Sequence, residues 1–138
     1  MKRSYLTPLT VLAVLLAFSI WNSSYMKTQT LRWSHQLDLS VEAANQENWG
    51  SAHDLIQSGY QDWSSYQTYL HIVTQHGAVD DAESMYHRAM AFAVTEEITE
   101  FQAEIADLQD QLRLLSEMER FSLGNILTSL PAAYSALP

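Results

Sequence analysis

The sequence contains no cysteine, which excludes a disulfide framework, thiolate zinc sites, iron–sulfur clusters and cysteine nucleophiles. Only 4 Gly and 3 Pro interrupt 138 residues, and 47% of the chain is hydrophobic, a composition unlike collagen, flexible linkers or disordered chains. Strand signals are missing as well. No stretch after Thr28 alternates polar and apolar residues for long, and no Asn-Gly or Asp-Gly hairpin pair occurs. The sequence also lacks a G-x-S-x-G elbow, a P-loop and a dinucleotide-binding fingerprint. Enzyme chemistry therefore has no support in the sequence, and the expectation is a protein without catalytic residues or cofactor.

What charge there is lies unevenly. Lys2, Arg3, Lys27 and Arg32 all precede Asp38, the first acidic residue. From there on, 16 acidic residues face only Arg88, Arg113 and Arg120, a formal charge of −13. A field of that sign repels phosphate, which argues against nucleic acid as a partner and against adsorption of this part to anionic headgroups.

Residues 4–26 contain no charge. As a helix they would extend roughly 34 Å, enough for a hydrocarbon slab of about 30 Å. Pro8 falls in the first turn, where its missing N–H costs little, and Tyr5, Trp21 and Tyr25 mark two interfaces as an aromatic belt does. The expectation is one transmembrane pass in the cell membrane, with membrane lipid as its partner. Lys2 and Arg3 place the N-terminus in the cytoplasm and the acidic part outside. The competing reading is a secreted helical bundle, released by signal cleavage after Ser19, since Ala17 and Ser19 are small and Lys2-Arg3 is a basic start. Against cleavage, Ile20-Trp21 continues the apolar run and helix-compatible sequence follows directly.

Apolar residues recur at helical spacing through the remainder. Trp49, Ala52, Ile56, Gly59, Trp63, Tyr66, Leu70 and Val73 form one face of a single helix predicted from Trp49 to about Gln75, with Asn48 as N-cap and Gly77 as the left-handed terminator. Gly59 on that face implies a close neighbour. Asp80 and Glu83 resemble a capping box opening a helix from about Asp81 to Val94, with Ala82, Met85, Ala89 and Phe92 as its apolar edge. Ile98, Phe101, Ile105, Leu108, Leu112 and Leu115 define the strongest helix, with Thr95 as its cap and Leu114 and Met118 widening its stripe. Leu31, Leu37, Val41 and Ala44 carry the anchor helix into the same assembly.

The predicted fold is all-α: an N-terminal transmembrane helix continuing into an up-down antiparallel bundle. The expected organisation is an anchor over 1–26, an acidic four-helix bundle over 27–127 and a tail over 128–138. The end of the chain from Phe121 is read as a short docked turn followed by a fraying tail.

Candidate chemistry is thin. His76, Glu83 and His87 are the best metal-ligating trio, because Glu83 and His87 stand one turn apart and a turn at Gly77 would bring His76 toward them. Three N/O ligands would suit zinc in a sensor or hydrolase. No compact motif such as HExxH accompanies them, and a His at a helix C-terminus already fits the helix dipole. His35, His53 and His71 border apolar stripes as polar edges. Glu97, Glu100, Glu104 and Asp107 line one helix face and read as a solvated acidic stripe. Trp33, Trp49 and Trp63, with Tyr60, Tyr66 and Tyr69, read as core aromatics.

Asn48-Trp49 with Ala52, Trp63, the turn at His76, Asp80-Asp81, and Met118-Glu119-Arg120 before Ser122-Leu123-Gly124-Asn125-Ile126-Leu127 together resemble the bacterial family called domain of unknown function 4363. The resemblance covers the chain from the anchor to about Leu127. It implies a small membrane-anchored helical protein, accessory to a multi-pass membrane protein, and it supplies no activity. The functional expectation is an extracytoplasmic interaction module of a bacterial envelope. Apolar surface left after bundle closure, including residues 121–130, would make the contact.

Overall fold

The computed structural model describes residues 5–134, with side chains through Met118. Among the described residues there are five helices and no strand: α1 (Leu6–Asn45), α2 (Trp49–Ser64), α3 (Gln67–Val73), α4 (His76–Thr95) and α5 (Ile98–Tyr134). The all-α prediction holds, and so does the continuation of the N-terminal helix into the bundle.

Helices α1, α2, α4 and α5 close a ring in which each packs on two others, α1 on α2 and α5, and α4 on α2 and α5. Cross-helix pairs give the directions. Arg32 meets Asp62 and Asn22 meets Tyr69, so α1 and the α2–α3 segment are antiparallel. Arg88 meets Glu104 while Ala78 meets Gln111, so α4 and α5 are antiparallel too. Gln102 reaches Asn45 and Gln109 reaches Asp38, so α5 runs back along α1. The result is an up-down bundle.

The interior is built where the stripes meet. Ala52, Ile56, Trp63 and Leu70 from the second stripe, and Phe101, Ile105, Leu108, Leu112 and Leu115 from the last, are all buried as expected. Trp33, Trp63 and Tyr86 are the large aromatics at the centre, and Trp63 packs its ring 5.2 Å from that of Tyr86. Trp49 stands edge-on to Phe101 at 5.7 Å and closes the far end.

Several boundaries differ from the sequence reading. The helix expected over 49–75 is broken at Ser65-Tyr66. The hydroxyls of Ser64 and Ser65 donate to the carbonyls of Gln61 and Asp62, and the Tyr66 N–H donates to Trp63, a tightened turn that ends the α-helical ladder. The apolar face survives the break because Leu70 of α3 still reaches the core. Helix α4 starts at His76, five residues before the expected Asp81, because Val79 is buried and must be presented on a helical face. Asp80 and Glu83 therefore lie inside α4 rather than forming its cap. The main apolar residue missed on α4 is Tyr86, fully buried, while Met85 and Phe92 only flank the core.

Gly77 is not a terminator. It sits in the first turn of α4 with ordinary negative φ, and the left-handed positions are Glu47 and Glu96, at φ 59° and 58°. Each completes a helix-end turn: the Asn48 N–H reaches the Ala43 carbonyl at 2.9 Å and the Glu97 N–H reaches that of Phe92 at 3.1 Å. Thr95 closes α4 instead of capping α5, with its hydroxyl on the Ala91 carbonyl. Asn48 caps α2 as predicted, accepting from the Ser51 N–H at 3.2 Å. On α1, Leu37 and Ala44 are buried and Val41 packs against the core as expected, whereas Leu31 is exposed; the packed stripe begins earlier, through Asn22, Met26, Thr30 and Trp33. Finally, α5 continues as helix to Tyr134, where a docked turn was expected from Phe121; residues 135–138 of the expected tail lie outside the described residues.

Gly59 is buried on the α2 face, and an added Cβ would meet Gln36 Oε1 at 3.6 Å and Tyr86 Cε1 at 3.9 Å, ordinary contacts. The neighbour inferred from the sequence is present, yet a methyl group fits. Gly59→Ala is therefore expected to raise unfolding free energy by about 0.5–1 kcal/mol in urea titration. Glu96→Gly should also stabilise, by about 1 kcal/mol, through relief of the left-handed position.

Candidate functional site

Two places on the bundle gather polar groups with geometry worth testing for function. The first lies where α2, α3 and α4 meet. Tyr60 projects from α2 between the buried Gly59 and Gln61, and its hydroxyl donates to Glu83 Oε1 at 2.8 Å. Glu83 also lies 4.0 Å from His87 Nε2, one turn along α4. The His87 ring packs 4.9 Å from the Tyr60 ring.

The Tyr60 hydroxyl, then the Gln67 amide at the start of α3, hold the Glu83 carboxyl below the usual carboxylate range, against a smaller opposing effect of burial. The same bond to Glu83 pushes the Tyr60 phenol up. A carboxylate stabilised in its ionised form is a weak base at neutral pH, so this arrangement suits a fixed inter-helix tie better than proton transfer. Burial, and then the negative charge of Asp62, raise the Tyr86 phenol, whose hydroxyl has no hydrogen-bond partner among the described residues.

Of the predicted trio, the structure brings Glu83 and His87 together but pairs His76 with His71. Their rings stack at 4.9 Å with the Nδ1 atoms 2.8 Å apart, so one nitrogen donates and the other accepts. The expected approach of His76 fails because Gly77 continues α4 rather than reversing the chain. Among the described residues no group of three or more His, Asp or Glu is placed to hold a metal ion. The acidic stripe is also less uniform than expected. Glu97, Glu100 and Asp107 are exposed, whereas Glu104 is largely covered and accepts from Arg88 Nε at 2.8 Å. His35 is exposed and His53 half-buried, each at the border of a stripe.

The second place is a groove of about 710 Å³ between α1 and α5, toward the N-terminal end of α1. Ser19, Ile20, Ser23 and Lys27 line one side and Arg113 and Glu117 the other. Arg113 is held by Asp110 at 3.1 Å. The sequence reading missed this groove, because it arises from the antiparallel register of two helices far apart in the chain. The one signal available was that Lys27 and Arg113 are among the few basic residues.

The Tyr60–Glu83 tie carries a pH dependence. Because the folded-state value of Glu83 lies below its ordinary 4.5, its stabilising effect is complete above that pH and is lost as pH falls through the lowered folded value. Glu83→Gln should therefore be less stable than the parent at pH 7, by about 0.5 kcal/mol because solvent screens a side chain that is 37% exposed, and the gap should shrink toward pH 3 in paired urea titrations.

Comparison with curated proteins and with solved structures returned no match. A family model does match, over residues 20–126. That span begins at Ile20, two residues before the first buried side chain of α1, and takes in all of α2, α3 and α4. It covers well over half of the chain, and the protein belongs to the family described as domain of unknown function (DUF4363).

Proposed function

We propose that this protein is a non-enzymatic interaction module, tethered by α1 to a bacterial cell membrane with its acidic bundle on the outer face, accessory to a multi-pass membrane protein. The observation that carries the reading is the division of α1. Its most apolar 18-residue window has a mean hydropathy of 1.6, and only 6% of that window is buried. A core helix of comparable hydropathy would be covered by its neighbours. Here Leu9, Val14, Phe18, Ile20 and Trp21 are all more than half exposed, while every third or fourth residue from Asn22 onward is packed. An apolar rod that leaves its own bundle uncovered needs another apolar solvent, and lipid is the one its length fits.

The interaction role draws on the same logic applied to the head. Ile72 and Val94 are 78% and 69% exposed, apolar side chains outside the ring of four helices. The Tyr60 hydroxyl holds Glu83 in its ionised form, which favours a structural tie between α2 and α4. A second reading, a secreted bundle, has one observation in its favour: cleavage after Ser19 would leave the packed stripe from Asn22 intact.

Membranes carrying the full chain test the proposal. After alkaline carbonate washing the intact polypeptide should stay in the pellet, and a photoreactive residue at position 72 should yield one discrete adduct. A Leu12→Arg, Leu15→Arg double variant should move to the soluble fraction with unchanged thermal unfolding, since both positions lie outside the bundle. Release of the unmodified chain by carbonate, a mature N-terminus at Ile20, or a smear of random neighbours would each contradict it.

A further inference from the structure

We propose that residues 121–134, the last part of α5, enter the lipid beside α1 as a second, shorter membrane-embedded helix. The inference rests on the anchored reading of α1 and adds to it a second point of contact with the bilayer.

Three observations converge. Charge is the first: between Glu97 and Arg120 a charged side chain occurs every few positions, whereas residues 121–138 contain none. Continuity is the second. Helix α5 runs unbroken from Ile98 to Tyr134, past Gly124 and Pro131, so the uncharged stretch prolongs a rod whose direction the bundle has already set.

Register is the third. Gln102 reaches Asn45 at 2.6 Å, Gln109 reaches Asp38 at 2.7 Å and the Ser34 carbonyl at 3.2 Å, and Arg113 and Glu117 face Lys27 across the groove. Each residue farther along α5 thus stands level with one earlier residue of α1, at about 1.5 Å per step. Carried on, that spacing puts Phe121 near the level of Ser24 and Tyr134 at about the level of Leu9 to Ala13, the middle of the exposed apolar part of α1.

A helix of that kind fits lipid physically. Most of its backbone groups are satisfied within the helix; the Leu127 carbonyl, opposite Pro131, and those of the last turn are left to the interface, which suits a segment that does not cross. Its length, about 21 Å, falls short of a full crossing and matches re-entrant or interfacial segments. The groove between α1 and α5 marks the place of entry. Lys27 and Arg113 stand at its upper rim, where headgroup phosphates would lie, and Ser19, Ile20 and Ser23 stand below them. Glu117 stands at this rim, Glu119 follows it in the chain and the other acidic residues of α5 precede it, so all of them lie before the uncharged stretch that starts at Phe121.

The absence of cysteine makes the test clean. Single substitutions Ile126→Cys, Leu127→Cys, Thr128→Cys and Ser129→Cys sample every side of the helix, with Ala13→Cys on α1 and Ser58→Cys on the exposed side of α2 as references. Each full-length variant is spin-labelled in phosphatidylcholine–phosphatidylglycerol proteoliposomes, and its collision rates with oxygen and with a water-soluble nickel chelate are measured. A ratio of oxygen to nickel accessibility at one or more of positions 126–129 that equals that at position 13, several-fold above that at position 58, is the expected result. Ratios like that of position 58 at all four positions, with position 13 lipid-like, would overturn this inference alone. Exclusion of both reagents at all four positions would also overturn it, and would place the segment against a second copy or another protein. A water-like ratio at position 13 would remove the anchored reading and this inference together.

Discussion

A single 40-residue helix has to satisfy two environments, and the rest of the structure follows from how it does so. For its first four turns α1 presents apolar side chains on every side and packs against nothing in the bundle. From Asn22 the pattern changes to a stripe, and that stripe is what α2 and α5 close upon. The change happens without a break in the backbone ladder, so the position and tilt of the head are set by the helix rather than by a linker. A flexible joint would leave the bundle free to turn; a continuous helix confines it to one side and one height.

The bundle is built to resist loosening at that junction. Asn22 is bonded to Tyr69, Tyr25 approaches the Tyr66 hydroxyl at 3.4 Å, and Arg32 reaches Asp62 at 3.0 Å, so three successive levels of α1 are tied to the α2–α3 segment. The break at Ser65-Tyr66 lets the short α3 pack on α4 and α5 as well, covering the end of the core nearest the exposed apolar part of α1. The distal end is closed by apolar contact instead, Trp49 against Phe101.

The spacing of apolar residues made the fold class, the uninterrupted α1, the N-cap at Asn48 and the core faces of α2 and α5 legible in the sequence. The turns were not. Sequence reasoning assigns helix ends to glycine because glycine tolerates positive φ cheaply, yet the left-handed residues are Glu47 and Glu96, and Gly77 lies inside a helix. Their placement follows from which residues the core requires: Ala43 and Ala44 before the first turn, Ala93 and Phe101 around the second, are buried and fix where the chain must reverse. The candidate trio failed for the same reason, since moving the turn from Gly77 to Thr74-Gln75 turned His76 toward His71. Tyr86 was missed because positions 82, 85, 89, 92 and positions 82, 86, 89, 93 both follow helical spacing, and Met85 and Phe92 made the first set look the more apolar.

The proposed tether requires α1 to be one helix from lipid to head. Hydrogen–deuterium exchange of the full chain in lipid nanodiscs measures this directly, amide by amide. Slow exchange running without interruption from residue 10 to residue 43, including the stretch from Trp21 to Lys27, is the predicted result. A fast-exchanging gap within that stretch would show a hinge between anchor and bundle and would contradict the account.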